Sequence, residues 1–348
     1  MRPSRTSAPE VSRRAALFAL GALATGCARP GEILLRGAGA TLPTHLYESW
    51  VAAYGSLRPR LRIDYLSIGS GGGLRQLADH TVDFGASDVE PDDVERAAIA
   101  DEVLVLPVAT SALAVAVCLP EGAGAPTLVL DFASLARIFT GEISRWDDPA
   151  IARLNPRRQL PKRDLVPIAR SDGGGSTAIF TRRLAARSPE LARSVGVGRS
   201  VTFPTAVGAR GSDGVAATVA ATPGSIGYVE VTHAVRAGLE IVALAEGDGE
   251  ATLPTVEAVG RAITSGEGYP LASHTYLVAL TRPRDAITGA ALAHFVRWVL
   301  GPGQALLAPG EPTAIASGFL PLPAASAARG RAAVAAMTFD GRPLLVID

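Results

Sequence analysis

Apolar positions recur along this chain at two spacings. From Leu61 to Ser67 apolar and polar residues alternate, the period of a half-buried strand. Leu46, Trp50, Val51 and Tyr54 instead recur at helical spacing, in a helix that starts near Leu42-Pro43, where proline suits the first turn. The same reading predicts a strand around Ile33–Arg36, a helix opened by the glycines at 71–73 and running to about His80, and a short buried strand over Val82–Ala86. A charged helix over Asp92–Ala100 follows, then strands at Val103–Val108 and Ala112–Leu119. Further helices are predicted over Phe132–Thr140, Ala150–Leu154, Ala178–Ala186, Gly214–Ala221, residues 255–264 and Ala286–Leu300. Strands are predicted over Val166–Ala169, Ile226–Val229 and Leu271–Leu280, and a Pro/Gly-rich stretch over 301–323. Strands alternating with helices imply an α/β fold built on open sheets. No unit of about 20 to 50 residues repeats, so the chain is not a solenoid.

The N-terminus departs from this pattern. Arg13-Arg14 precede an apolar run from Ala15 to Ala24, and Thr25-Gly26-Cys27 close it. Basic residues, a short apolar stretch and small residues before a cleavage point form an export signal, so residues 1–27 are set apart from the fold. Ser12-Arg13-Arg14 with Leu17-Phe18 resembles a twin-arginine signal. Ala24-Thr25-Gly26-Cys27 resembles a bacterial lipobox with Leu23 displaced by one position, in which case Cys27 carries lipid and becomes the mature N-terminus. An ordinary secretory signal with a chance cysteine is the alternative. The run is too short for a membrane span of about 20 apolar residues. The expected location is the periplasm or cell surface.

Composition narrows the class. The 348 residues are enough for two domains of ordinary size, and a hydrophobic share of 48% can fill a large core. Lys and Arg number 33, as do Asp and Glu, without a basic tract to suggest nucleic acid or an acidic block to suggest a disordered tail. With Cys27 lipidated or removed, Cys118 has no partner for a disulfide, and its place in the apolar run Ala112–Leu119 reads as a small buried hydrophobe.

Candidate chemistry is concentrated in glycine-rich turns. Arg170 ends an apolar run, and Ser171-Asp-Gly-Gly-Gly-Ser-Thr177 leads into a helix. Such a turn aims unpaired backbone N–H groups at one point, the natural seat of a small anion. Arg170 adds a planar cationic fork, and Ser176 and Thr177 add hydroxyls. The stretch Ser67–Leu77 repeats the same grammar, and Thr41-Leu42 opens a third helix. Three such N-termini suggest one anion gripped from two sides. Asp88 is the odd member, because an ionised carboxylate only accepts hydrogen bonds. It fits an anion that carries a proton, such as phosphate, and repels fully deprotonated sulfate. Alternatively, Asp88 with Ser87 caps the helix near Pro91.

Enzyme readings lack their parts. There is no Gly-Lys-Ser/Thr element of a nucleotide P-loop and no Gly-x-Ser-x-Gly elbow in the right context. The histidines at 45, 80, 233, 274 and 294 are dispersed, so no metal site and no cofactor are expected. Asp147-Asp148 read as a turn plus helix cap.

Six stretches together resemble the bacterial phosphate-binding protein of the high-affinity phosphate ABC transporter. They are Gly37–Pro43, Ile68–Gly73, Thr81–Asp88, Phe139–Asp148, Arg170–Thr177 and Thr222–Glu230, in family order, and the Tyr269-Pro270 to Tyr276 segment also matches. The resemblance covers roughly residues 33 to 340. It implies a type II periplasmic-binding-protein fold, in which two α/β lobes are joined by two hinge strands around a ligand cleft. It places the first lobe at about 33–110 plus 269–348 and the second at about 111–268. It implies phosphate contacts from Thr41, Leu42, Ser70 and Asp88 on one side, and from Arg170, Gly174, Gly175 and Ser176 on the other. Leu42 replaces a frequent phenylalanine, Gly174 a usual serine and Ser176 a usual threonine, so one hydroxyl donor is missing. The implied partner is a membrane permease, and a monomer is expected. A receptor for another oxyanion such as tungstate, a phosphoryl-transfer enzyme and a surface sensor without a transport role are the alternatives.

Overall fold

The computed structural model describes residues 31–119, 126–247, 249–307 and 318–345. The export signal, with Cys27, lies outside them. The chain opens with β1 (Ile33–Gly39), α1 (Thr44–Leu57), β2 (Leu61–Ser67), α2 (Ser70–Ala78) and β3 (Phe84–Ser87). β1 pairs in parallel with both β2 and β3, the right neighbours for strands linked by helices. α3 (Asp93–Ile99) leads to β4 (Val103–Val117), followed by β5 (Val129–Asp131), α4 (Phe132–Phe139) and α5 (Pro149–Leu154). Next come β6 (Val166–Arg170), α6 (Gly175–Arg187), α7 (Pro189–Ser194), β7 (Val207–Ala209), α8 (Gly211–Ala221), β8 (Ser225–Glu230) and α9 (Val231–Arg236). β9 (Glu240–Ile241), β10 (Ala243–Ala245), α10 (Val256–Ser265), β11 (Ala272–Leu280) and α11 (Ala286–Val299) follow. A 3-10 turn over Pro302–Leu307, α12 (Ala324–Ala335), β12 (Thr338–Phe339) and β13 (Arg342–Pro343) complete the described chain.

The principal sheet runs β2-β1-β3-β11-β4-β8-β6-β7, with β9 on β4. The two strands expected at 103–108 and 112–119 are one continuous strand. Its first part pairs antiparallel with β11, from Val103 opposite Leu280 to Ala112 opposite Ala272. Leu113–Val117 then pairs with β8. The break read at Ala109–Ser111 does not occur, because these residues keep strand partners and Thr110 also bridges to Leu320. β4 therefore belongs to both halves of the molecule.

Two cores lie on either side of that crossing. One gathers Leu35, Trp50, Phe84, Phe295 and Val299 from β1, α1, β3 and α11. The other gathers Leu130, Phe139, Trp146, Phe180 and Tyr228 from the intervening segment. Each core buries a tryptophan whose indole N–H is satisfied: Trp50 Nε1 donates to Gly303 O at 3.1 Å and Trp146 Nε1 to Gly224 O at 2.8 Å. Cys118 is half-buried against a smaller apolar cluster, as a soft hydrophobe. Asp148 caps α5 by accepting from Ala150 N at 2.8 Å while Asp147 pairs with Arg145, as the turn reading expects. Among the described residues, no helix is long and apolar enough to cross a membrane.

Glycines set how closely α2 approaches the sheet. A Cβ on Gly73 would stand 2.3 Å from the Ala38 carbonyl oxygen, and one on Gly39, at φ +147°, 2.1 Å from that of Ala86. Only glycine permits that contact. The first turns of α1 and α2 are thereby held over the C-terminal ends of β1 and β3, the edge where open α/β sheets bind ligands.

Candidate anion-binding site

The N-termini of α1, α2, α6 and α8 converge between the two cores. Arg170, the last residue of β6, is buried there. Its guanidinium grips Asp172 with two bonds, Nε to Oδ1 at 2.7 Å and Nη2 to Oδ2 at 2.5 Å. That leaves Nη1 aimed across the gap, where it donates to Thr41 Oγ1 at 3.0 Å and Ser176 Oγ at 3.2 Å. Asp172 Oδ1 also accepts from Gly211 N at 3.0 Å. Burial alone would raise the Asp172 carboxyl, but Arg170 and Gly211 N–H hold it below its ordinary value. The carboxylate thus stays charged and fixes the fork in one orientation.

Ser70, at the start of α2, is a second junction. Its Oγ lies 3.4 Å from Asp88 Oδ2 and receives the amides of Asp88 and Gly175, both at 3.3 Å. These bonds are long against the usual 2.9–3.0 Å, so they are weakly held. Asp88 is 1% exposed, and the residue that caps α3 is Asp92, which accepts from Glu95 N at 2.8 Å. The capping alternative for Asp88 is therefore excluded. Burial pushes the Asp88 carboxyl up to about 6, against the opposing pull of Arg170, Arg199 and the hydroxyls of Thr275 and Ser70.

The structure brings together Thr41, Ser70, Asp88, Arg170, Gly175 and Ser176, all inferred from sequence. Leu42 is buried beside them in the first core. Gly174 differs from its expected role, because its amide donates to Arg199 O at 3.0 Å. A Cβ there would stand 2.7 Å from Arg170 Cζ, so glycine leaves room for the guanidinium that a side chain would crowd. Gly174→Ser should therefore displace Arg170 and weaken anion binding about tenfold or more, rather than restore a missing donor. A titration showing tighter binding in that variant would contradict this account.

Four residues escaped the sequence reading. Asp172 lies inside the quoted turn, but nothing local marks it as the clamp on Arg170. Ser212, in the first turn of α8, meets Thr41 Oγ1 through its Oγ at 3.1 Å and its amide at 3.2 Å. The helix expected from Gly214 begins at Gly211, and that shift hid it. Thr275 on β11 lies 3.4 Å from Asp88 Oδ1. Arg199 reaches across to the first half, pairing with Glu95 and donating to Ser87 Oγ at 3.0 Å.

The model of a PBP superfamily domain matches residues 4–302. The phosphate-binding protein PstS of Methanocaldococcus jannaschii is 30% identical over 333 residues, covering 85% of this chain and 84% of that protein. The chain belongs to the PstS phosphate-binding protein family. The PstS of Pasteurella multocida is 39% identical over 224 residues, 64% of each chain. Among solved structures, a high-affinity periplasmic phosphate-binding protein bound with phosphate superposes with a TM-score of 0.67 at 22% identity, covering 86% of this chain and 93% of that one. A phosphate ABC transporter substrate-binding protein from Clostridium perfringens gives 0.63 at 17% identity, covering 83% and 100%. The chain thus has the type II periplasmic-binding-protein fold, and β4 runs through both of its halves. PstS proteins are transport receptors, not enzymes.

Proposed function

We propose that the chain binds inorganic phosphate outside the cytoplasmic membrane and delivers it to the permease of an ABC transporter. The observation that carries this reading is Asp88, a buried carboxylate in the same cluster as the Arg170 fork and the helix N-termini. A purely electrostatic anion trap would exclude it. A monohydrogen phosphate can satisfy both ends: its charged oxygens take donors from Arg170, Thr41, Ser70, Ser176 and the amides of Leu42 and Gly175, while its P–OH donates to Asp88. Gly174 contributes the space behind the guanidinium. Sulfate has no proton and would face Asp88 acceptor to acceptor.

Thr41, Ser70 and Asp88 belong to one lobe, and Arg170, Gly175 and Ser176 to the other. The lobes comprise residues 33–110 with 269–348, and 111–268; the two separate cores support that division, although Tyr269 and Leu271 pack in the second core. Closure follows because the ligand completes contacts that only the closed arrangement offers. The weakly held bonds around Ser70 are the ones a phosphate oxygen would take over. The receptor acts as a monomer, tethered by lipid on Cys27, and its closed form docks on the permease.

Calorimetric titration of the phosphate-free chain with phosphate, arsenate, sulfate and molybdate tests this. Phosphate and arsenate should bind, and sulfate and molybdate should not. Tight sulfate binding with no response to phosphate would refute it and favour another oxyanion.

A further inference from the structure

His45 on α1, Asp213 on α8 and His233 on α9 are far apart in sequence, yet each offers a ligand atom within 4.8 Å of the other two. The His233 ring is 3% exposed, and its Nε2 is buried without a hydrogen bond. The nearest acidic oxygen, Asp213 Oδ1, is 3.4 Å away. On the other side of the ring, Nδ1 faces Glu230 Oε2 at 3.2 Å. Glu230 is fully buried and also accepts from Thr232 N at 2.8 Å and Thr232 Oγ1 at 3.1 Å. That geometry suits the tautomer with the proton on Nδ1, which leaves Nε2 its lone pair.

His45 repeats that arrangement. Its Nδ1 faces Glu48 Oε2 at 2.9 Å, and its Nε2 lies 2.8 Å from Arg236 Nη1. Arginine has only donors, so Nε2 of His45 is also an acceptor. The two rings stack with centroids 5.5 Å apart. Two imidazoles, each held at Nδ1 by a carboxylate and each presenting Nε2, form the outer-shell pattern that orients histidines toward a metal.

We propose that His45, Asp213 and His233 bind a divalent transition-metal cation of the zinc type, bridging α1 to α8 and α9. Two nitrogens and one carboxylate oxygen suit Zn2+, with a fourth position open to water, whereas Ca2+ and Mg2+ prefer all-oxygen sets. Ligand atoms around tetrahedral Zn2+ stand about 3.3 Å apart for bonds of about 2.0–2.1 Å, which the His233–Asp213 pair already matches. His233 is the fixed point. The exposed Asp213 and the half-buried His45 have the freedom to close the remaining distance. Arg236 is the competitor, since its guanidinium occupies the lone pair that the metal needs. Asp213 directly follows Ser212, and His45 lies four residues after Thr41, but the proposal does not depend on phosphate binding.

The test uses the untagged chain in phosphate-free buffer. Zn2+ affinity is measured by competition with a chromophoric chelator, and Co2+ is added as a spectroscopic substitute. One Zn2+ per chain is expected, with tetrahedral Co2+ bands in the visible. Asp213→Asn and His45→Gln, both outside the cores, should each weaken Zn2+ at least about tenfold. Arg236→Ala should tighten it severalfold and leave phosphate affinity unchanged. His233→Ala removes a buried ring and risks unfolding, so the other variants carry the decision. Zn2+ affinity unmoved by both Asp213→Asn and His45→Gln, or no Co2+ band, would overturn the site.

Discussion

Arg170→Ala should lower phosphate affinity by about a hundred- to a thousandfold, the cost of removing one partner from a buried charged network. Three effects add. The guanidinium's Nη1, which donates to Thr41 and Ser176, is lost to the ligand. Asp172 loses both of its bonds to Arg170 and becomes an uncompensated negative charge beside the incoming anion. The link between Thr41 and β6, which spans the cleft, also disappears. Arg170→Lys separates charge from geometry: it keeps the cation but cannot hold Asp172 with one edge and the ligand with another. Its affinity should fall between wild type and alanine. Calorimetry reads the affinities, and circular dichroism checks that each variant folds. Wild-type affinity in Arg170→Ala would refute the assignment of Arg170 to the site.

Asp88→Asn should move two measurements in opposite directions. In the phosphate-free chain the Asp88 carboxyl titrates at about 6 rather than its ordinary 3.8, chiefly because it is buried. A raised carboxyl means that the folded state holds a proton the unfolded state has released. The contribution of Asp88 to the stability of the empty chain therefore falls as pH rises from about 4 through about 6, then levels off. Across the gap from 3.8 to about 6, at about 1.4 kcal/mol per pH unit, the loss is on the order of 3 kcal/mol. Asparagine has no charge to bury, so at pH 8 the empty variant should melt at a higher temperature than wild type. Its discrimination should fail all the same. An amide can donate to sulfate, so the phosphate preference over sulfate should collapse while overall anion binding weakens. Unchanged melting at pH 8, or full selectivity in the variant, would contradict this role for Asp88.

Local signals in the sequence were strong where local physics decides. The alternation over Leu61–Ser67 and the helix around Trp50 appear at the residues expected, because a buried face imposes a period. Glycine misled at the helix starts. Gly71–Gly73 and Gly175 read as turn, yet they lie inside α2 and α6. Their low helix propensity is overridden by a tight approach, such as that of Gly73 to Ala38, which no side chain would permit. The alanine-rich α12 was missed because it has almost no apolar stripe. At the site, Arg170 and the glycine turns were legible as a cradle. Arg199, Ser212 and Thr275 were not, since each enters only through contacts with residues distant in the chain.

The continuity of β4 also orders the folding of the molecule. The core built on Leu130, Phe139 and Phe180 draws on one uninterrupted stretch of chain, so it can collapse as soon as that stretch exists. The other core cannot. Its sheet needs β11 between β3 and β4, with Tyr276 opposite Ser87, and its packing draws on Phe295, Val299 and Val334, so its contacts span almost the whole chain. Without β11 the first strands keep an open edge, a template for pairing with another chain. The segment that supplies Arg170 thus rests on contacts of shorter sequence separation than the segment that supplies Asp88.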